Sequence, residues 1–92
     1  MKALAEIQVV PLGVGVSVRK EVMLAHQVLV EAGLVVQLHA YGTNVEGDLD
    51  EILAAIRRVH ETLHAKGVVR IVTNVKLGTR TDKDATLQGK LF

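Results

Sequence analysis

The sequence predicts an α+β fold with the element order βαββαβ, and three observations carry that prediction. Two stretches repeat apolar residues at helical spacing, four short stretches rich in β-branched residues run at strand length, and a glycine stands near the end of most elements. Met1 to Leu12 reads as strand one, with Ala3, Ala5, Ile7 and Val9 alternating against Leu4, Glu6, Gln8 and Val10 until Pro11 and Gly13 stop it. Ser17 is placed to cap helix one, in which Val18, Val22, Ala25, Leu29 and Ala32 follow a 3.6-residue period up to Gly33. Leu34 to Tyr41 is strand two, closed by Gly42, and Thr43 to Glu46 is a short strand three closed by Gly47, so the two form a hairpin. Asp48 opens helix two, with Glu51 three residues on completing a capping-box-like pair, and Leu49, Ile52, Leu53, Ile56, Val59 and Leu63 form its apolar stripe up to Gly67. Val68 to Leu77 is strand four. Gly78 to Phe92 is a polar tail with an apolar end at Leu91 and Phe92.

This order defines the ferredoxin-like arrangement: an antiparallel four-stranded sheet with two helices on one face, here a single domain over residues 1–92. Because side chains alternate along a strand, the faces can be sorted. Ala5, Ile7, Val9, Val36, Leu38, Val69, Ile71 and Val75 should meet the helices. The opposite face should carry Leu4, Glu6, Gln8, Val10, Val35, Gln37, His39, Tyr41, Val68, Arg70, Val72, Asn74 and Lys76. That mixture suits neither a dry core nor a fully wet surface. It predicts a face packed partly against another subunit, with a polar-lined cavity left between them.

Composition supports the same view. A chain of 92 residues buries only about 60–65% of its unfolded surface, yet 49% of its residues are hydrophobic. A homo-oligomer, dimer or dimer of dimers, is expected to seal the surplus. The net charge of +1, from 11 basic and 10 acidic residues, gives no field for nucleic acid or an anionic membrane, and one Tyr and one Phe leave little to stack on bases. The absence of cysteine excludes disulfides, thiol catalysis and thiolate metal sites. With no membrane-length apolar run and an early Glu6 against a signal peptide, a soluble cytoplasmic protein is expected, with no cofactor.

The richest stretch is LHAYGTNVEGDLDE, residues 38–51, which packs His39, Tyr41, Thr43, Asn44, Glu46 and Asp48 into a strand, a turn and a helix start. Together with VVPLGVGVSVRKEV at 9–22 and VRIVTNVKLGTRTDK at 69–83, it resembles the small thiamine-binding protein family, whose ferredoxin-like domains assemble as dimers and tetramers. The most specific element is Gly-Thr-x-x-Glu-Gly-Asp in its strand–turn–helix context. The resemblance implies binding of thiamine or its hydroxymethylpyrimidine moiety without catalysis. The chain departs from the family pattern in having Leu77-Gly78-Thr79, where an acidic residue is usual near Gly78, and in the short sequence after Leu87, where a longer helix is usual.

For such a ligand, the Glu46 carboxylate offers acceptors for an exocyclic amine and a counter-charge for a cationic ring; otherwise it is a helix-start acid. Thr43 and Asn44 supply a hydroxyl and a carboxamide for ring nitrogens, or serve as ordinary turn residues. Asp48 reads as a helix cap, and Gly42 and Gly47 as sources of backbone freedom, Gly47 also lying beside Glu46 as a possible ligand neighbour. Glu6 and Gln8 sit mid-strand and need partners, with Arg70, His39 and Lys76 available; a structural network and a ligand role are both open. Tyr41 is a ring able to stack on a pyrimidine. Arg80 and Asp82 lie in the third matching block, where the resemblance implies that they border the pocket, while Asp82, Lys83 and Asp84 also read as a salt-bridging cluster.

Three other signals are weaker. His60 and His64 have zinc-compatible spacing but no third ligand beside them. Gly13 and Gly15 ahead of helix one lack the remaining glycine and the downstream acid of a dinucleotide site. An acylphosphatase-like hydrolase would need an Arg in the PLGVGVSV loop, and none precedes Arg19. The rival to a small-molecule binder is therefore a structural or regulatory oligomerisation module.

Overall fold

Alternation along the first strand decides how the chain folds. A computed structural model describes residues 1–90; the predicted apolar end at Leu91 and Phe92 lies outside the described residues. The elements are β1 (Lys2–Leu12), α1 (Arg19–Glu31), β2 (Val35–His39), β3 (Gly42–Asp48), α2 (Leu49–Ala65), β4 (Arg70–Thr79) and a closing 3₁₀ turn, Gln88–Lys90. The strands form one sheet in the order β2-β3-β1-β4, with every neighbouring pair antiparallel. This is the predicted ferredoxin-like arrangement.

Ala3, Ala5 and Ile7 of β1 and Val45 of β3 point under the helices. There they meet Ala25, Val28 and Leu29 of α1 and Ile52, Ala55, Val59 and Leu63 of α2. Ile7, Leu29, Ile52 and Leu63 are almost wholly buried, each contributing about 1.5–3 kcal/mol through lost apolar surface. The helices cover one face only.

Asp48 caps α2 as predicted, its carboxylate accepting from the Asp50 N–H at 3.2 Å. Its other partner is the Met1 ammonium at 3.0 Å rather than Glu51, which stands exposed. That hydrogen bond from the Met1 ammonium holds the Asp48 carboxyl below the usual carboxylate range. The start of the chain is thus pinned to the start of α2, and the Leu49 N–H donates to the Met1 carbonyl at 2.8 Å.

Strand four departs from the expected facing. Gly67, at φ +96°, ends α2 with a paired closure in which the Gly67 N–H donates to the His64 carbonyl and the Val68 N–H to the Leu63 carbonyl. Such a turn brings the residue after the glycine back onto the last helical turn. Val68, predicted for the open face, is accordingly buried beside Leu63, while Val69, predicted to meet the helices, is 89% exposed. Regular alternation starts only at Arg70. Leu38 and Val75 lie on the helix side by register but at the rims of the sheet, and both are more than two-fifths exposed.

The other shifts are at element ends. Val18, not Ser17, is the residue preceding α1, with Ser17 Oγ accepting weakly from the Arg19 N–H at 3.5 Å. Gly47 does not close β3, which runs on to Asp48 and faces Lys2 of β1.

At the hairpin, Gly42 lies so close to β1 that an added Cβ would stand 2.8 Å from the Ile7 carbonyl oxygen, whereas one on Gly78 would meet nothing within 4 Å. Gly42→Ala should therefore cost about 1–3 kcal/mol of unfolding free energy in urea denaturation. Gly78→Ala should stay within about 0.5 kcal/mol of the parent.

Candidate functional site

The face left bare by the helices carries the polar side chains in register. Across it, β2, β3, β1 and β4 align Gln37, Asn44, Glu6 and Lys76 in one row. The next row toward the chain start holds Val35, Glu46, Leu4 and Gly78. On the other side lie His39 opposite Gly42, and Gln8 opposite Asn74; beyond them Val10 faces Val72 and Leu12 faces Arg70.

These side chains form a directional network. Asn44 Nδ2 donates to Gln37 Oε1 at 3.2 Å, which turns Asn44 Oδ1 toward His39 Nε2, also at 3.2 Å. A carboxamide oxygen only accepts, so Nε2 carries the proton. His39 Nδ1 then accepts from the Tyr41 N–H at 3.3 Å, and the Nε2–H tautomer is fixed from both sides. Glu6 Oε2 stands 3.5 Å from the same Nε2. Among the partners foreseen for Glu6, His39 makes the close contact; Lys76 stands directly opposite on β4, and Arg70 is placed opposite Leu12, six residues along β1, roughly 20 Å away. Gln8 pairs instead with Asn74, whose Nδ2 donates to Gln8 Oε1 at 3.0 Å.

Beside this network lies a hollow of about 280 Å³ lined by Glu6, Gln8, Tyr41, Asn74, Val75 and Lys76. Tyr41, at the tip of the hairpin, is 80% exposed, so its ring is free to cover whatever sits there. Gly42 leaves no side chain between His39 and Gln8. The structure thus brings together Glu6, Gln8, His39, Asn44 and Tyr41 of the sequence candidates, and adds Gln37, Asn74 and Lys76. Strand parity had set these three on the same face, but only cross-strand register shows which of them touch.

Glu46 shares the face, one row nearer the chain start, about 7 Å along the strand from Asn44. Its Oε1 accepts from the Leu87 N–H at 2.7 Å, because the tail folds back over this end of the sheet. Ala85 of the tail is buried, and with it Leu4, which the sequence reading left uncovered. Residues Val35, Gln37, Glu46, Thr86 and Leu87 line an open cavity of about 540 Å³ between tail and β2. The tail contact was missed because nothing in its polar composition announces a backbone donor.

Arg80 stands apart from the hollow, clamped on Asp82 by two hydrogen bonds and bordering a small crevice with Leu4 and Ala85. The Arg80 hydrogen bond holds the Asp82 carboxyl down at about 2, and the guanidinium is raised in turn.

Thr43 and Gly47 face the helices. Thr43 is buried and lines a separate cleft of about 220 Å³ among Pro11, Val18, Val22, Leu38 and Tyr41, at the start of α1. Thr43 and Asn44, adjacent in sequence, therefore serve opposite faces. Gly47 is packed against Leu34, where an added Cβ would come within 2.5 Å of Cδ2. His60 Nε2 meets Thr73 Oγ1 and His64 Nδ1 meets the Val68 carbonyl, both at 2.7 Å. These imidazoles tie α2 to β4 and its lead-in. Among the described residues, no three His, Asp or Glu are grouped as metal ligands, and no helix is long and apolar enough to cross a membrane.

The fold and face define a class: a small α+β protein whose sheet is covered on one side and presents a preorganised polar network on the other. The chain belongs to the family described as thiamine-binding protein, whose model matches residues 5–92. A UPF0045 protein of Synechocystis sp. is 50% identical over 91 residues, spanning 99% of this chain and 75% of that protein. One of Methanocaldococcus jannaschii is 43% identical over 98% of this chain and 89% of its own length. The crystal structure of that protein superposes with a TM-score of 0.91, covering 98% of this chain and 92% of the other. A Thermotoga maritima protein described as a candidate for thiamine biosynthesis or salvage superposes with a TM-score of 0.88, covering 99% and 96%. At 20% identity, that last likeness carries the fold alone.

Two outcomes check the tail geometry. Glu46→Ala should abolish hydrogen-exchange protection at the Leu87 amide while Ala5 and Ile7 stay protected. In ¹³C NMR, the Asp82 carboxyl should titrate near 2 and return to the usual range in Arg80→Ala. Because Asp82 is lowered on folding, its contribution is present above the ordinary carboxylate range and lost as pH falls through about 2.

Proposed function

We propose that the protein binds thiamine, or its hydroxymethylpyrimidine moiety, without catalysis, on the uncovered sheet face, and that a second copy closes the site. The observation that carries this reading is the fixed polar network beside the Tyr41 hollow, in a chain of the thiamine-binding protein family. A heteroaromatic guest needs a flat surface, a ring to cover it and a few oriented donors and acceptors. The face supplies sheet backbone below, Tyr41 above, and Glu6, Gln8, His39 and Asn44 around the rim. Glu6 is the carboxylate nearest the hollow and faces a cationic thiazolium. Glu46, held by the Leu87 N–H, stands one row from the guest; Thr43, Gly47 and Arg80 support the hairpin and tail rather than touch it.

Closure by a second copy is supported by the apolar rim. Val72 is 44% and Leu12 38% exposed on the same face, and Val35 55% at its other end. Those residues also favour the second reading, a structural or regulatory oligomerisation module without a ligand. The two readings share an interface and differ in the hollow.

Calorimetric titration with thiamine, thiamine phosphates and hydroxymethylpyrimidine separates them. Saturable heats with a 1:1 stoichiometry per chain are expected, and Glu6→Gln should weaken thiamine by about tenfold while oligomer mass in light scattering is unchanged. Flat heats for all of these ligands would leave the oligomerisation module.

A further inference from the structure

The pair formed by Gln8 and Asn74 is joined by one hydrogen bond where two carboxamides have the means for two. Asn74 Nδ2 donates to Gln8 Oε1 at 3.0 Å. Gln8 Nε2 therefore keeps both its hydrogens and Asn74 Oδ1 its lone pairs, and neither atom has a partner among the described hydrogen bonds. Both residues line the Tyr41 hollow. The sheet register sets them directly opposite one another on β1 and β4, so the two amides are carried by neighbouring strands.

We infer that Gln8 and Asn74 form a carboxamide clamp that reads the edge of an aminopyrimidine, with Gln8 Nε2–H donating to a ring nitrogen and Asn74 Oδ1 accepting from the neighbouring exocyclic amine. The inference rests on the function proposed above, and it assigns recognition to Asn74, a residue outside the sequence candidates. An aminopyrimidine presents an acceptor nitrogen next to a donor NH2, the complement of what the pair leaves open. Carboxamides read adenine by the same pairing of acceptor nitrogen and exocyclic amine. The existing Asn74–Gln8 bond ties the polarity of one amide to that of the other, because reversing one alone would set like groups against each other; as they stand, Gln8 offers the donor and Asn74 the acceptor. A 4-oxo ring, with its N–H donor and carbonyl acceptor interchanged, presents the wrong edge.

The test compares thiamine with its 4-oxo analogue, in which oxygen replaces the amino group, by calorimetry on the parent, Gln8→Ala, Asn74→Ala and the double variant. The parent should prefer thiamine by on the order of tenfold or more. Each single variant should bring the two ligands to within about twofold, and the double variant should do no further harm, since the pair acts as a unit. Asn74 is exposed, and unchanged melting temperatures would confirm that the variants fold. A preference that survives in folded variants overturns the clamp and leaves the thiamine reading standing. Absence of binding by the parent to either ligand overturns both.

Discussion

The structure depends on the register of β1, an interior strand paired with β3 on one side and β4 on the other. Ala3, Ala5 and Ile7 lie under the helices because β1 pairs Ala5 with Val45 and Leu77, and Ile7 with Thr43 and Val75. A slip of one residue would exchange the faces of every side chain on the strand. Ala5 and Ile7 would go to water, and Glu6 and Gln8 would enter a core that offers them no partners, at several kcal/mol for the carboxylate alone. The hydrophobic core and the polar network are therefore one constraint seen from two sides. Whatever fixes Ile7 inward fixes Glu6 and Gln8 outward.

This coupling explains which parts of the protein are legible in its sequence. Element order, helix stripes and the Asp48 cap follow from local chemistry, and they fix the ferredoxin-like topology. Side-chain facing is equally plain on β1 from Ala5 to Val9, where apolar and polar residues alternate. It fails at Val68 and Val69 for a definite reason: the Gly67 closure inserts a reversal between helix and strand, and the expected facing holds from Arg70, where β4 begins. The site is legible as a face and not as a set of contacts. Glu6, Gln8 and His39 can be placed on one side from parity, and Asn44 joins them through the register of β3. The link from Glu6 to His39 rather than Arg70, and from Gln8 to Asn74, depends on how far each strand is slid against the next, which no single strand encodes.

The residues 38–51 show the same limit from another direction. Polar density singles out the hairpin, but a strand divides its side chains between two faces. Thr43 therefore goes beneath the helices and Asn44 onto the network, and Glu46 to a row that the tail reaches. A run of polar residues in a β-hairpin marks two half-sites, not one. Here only the outward half joins the groups on β1 and β4.

A sheet covered on one side leaves a chain of this size little choice about where to recognise a small molecule. The core is filled by Ile7, Leu29, Ile52 and Leu63 and holds no polar group except Thr43 among the buried residues described. The bare face has the opposite problem: its groups are oriented but open to water, which competes for every donor and acceptor. Hydrogen bonds gain weight when water is excluded, so a network fixed in advance becomes selective only when something covers it. In the structure the tail already does this at one end, burying Leu4 and occupying Glu46 through the Leu87 N–H, and leaves the Tyr41 hollow uncovered. The apolar residues Leu12 and Val72 border the face at the end away from Leu4 and the Leu87 contact. A cover bringing a complementary apolar surface there would complete the exclusion of water without disturbing the network.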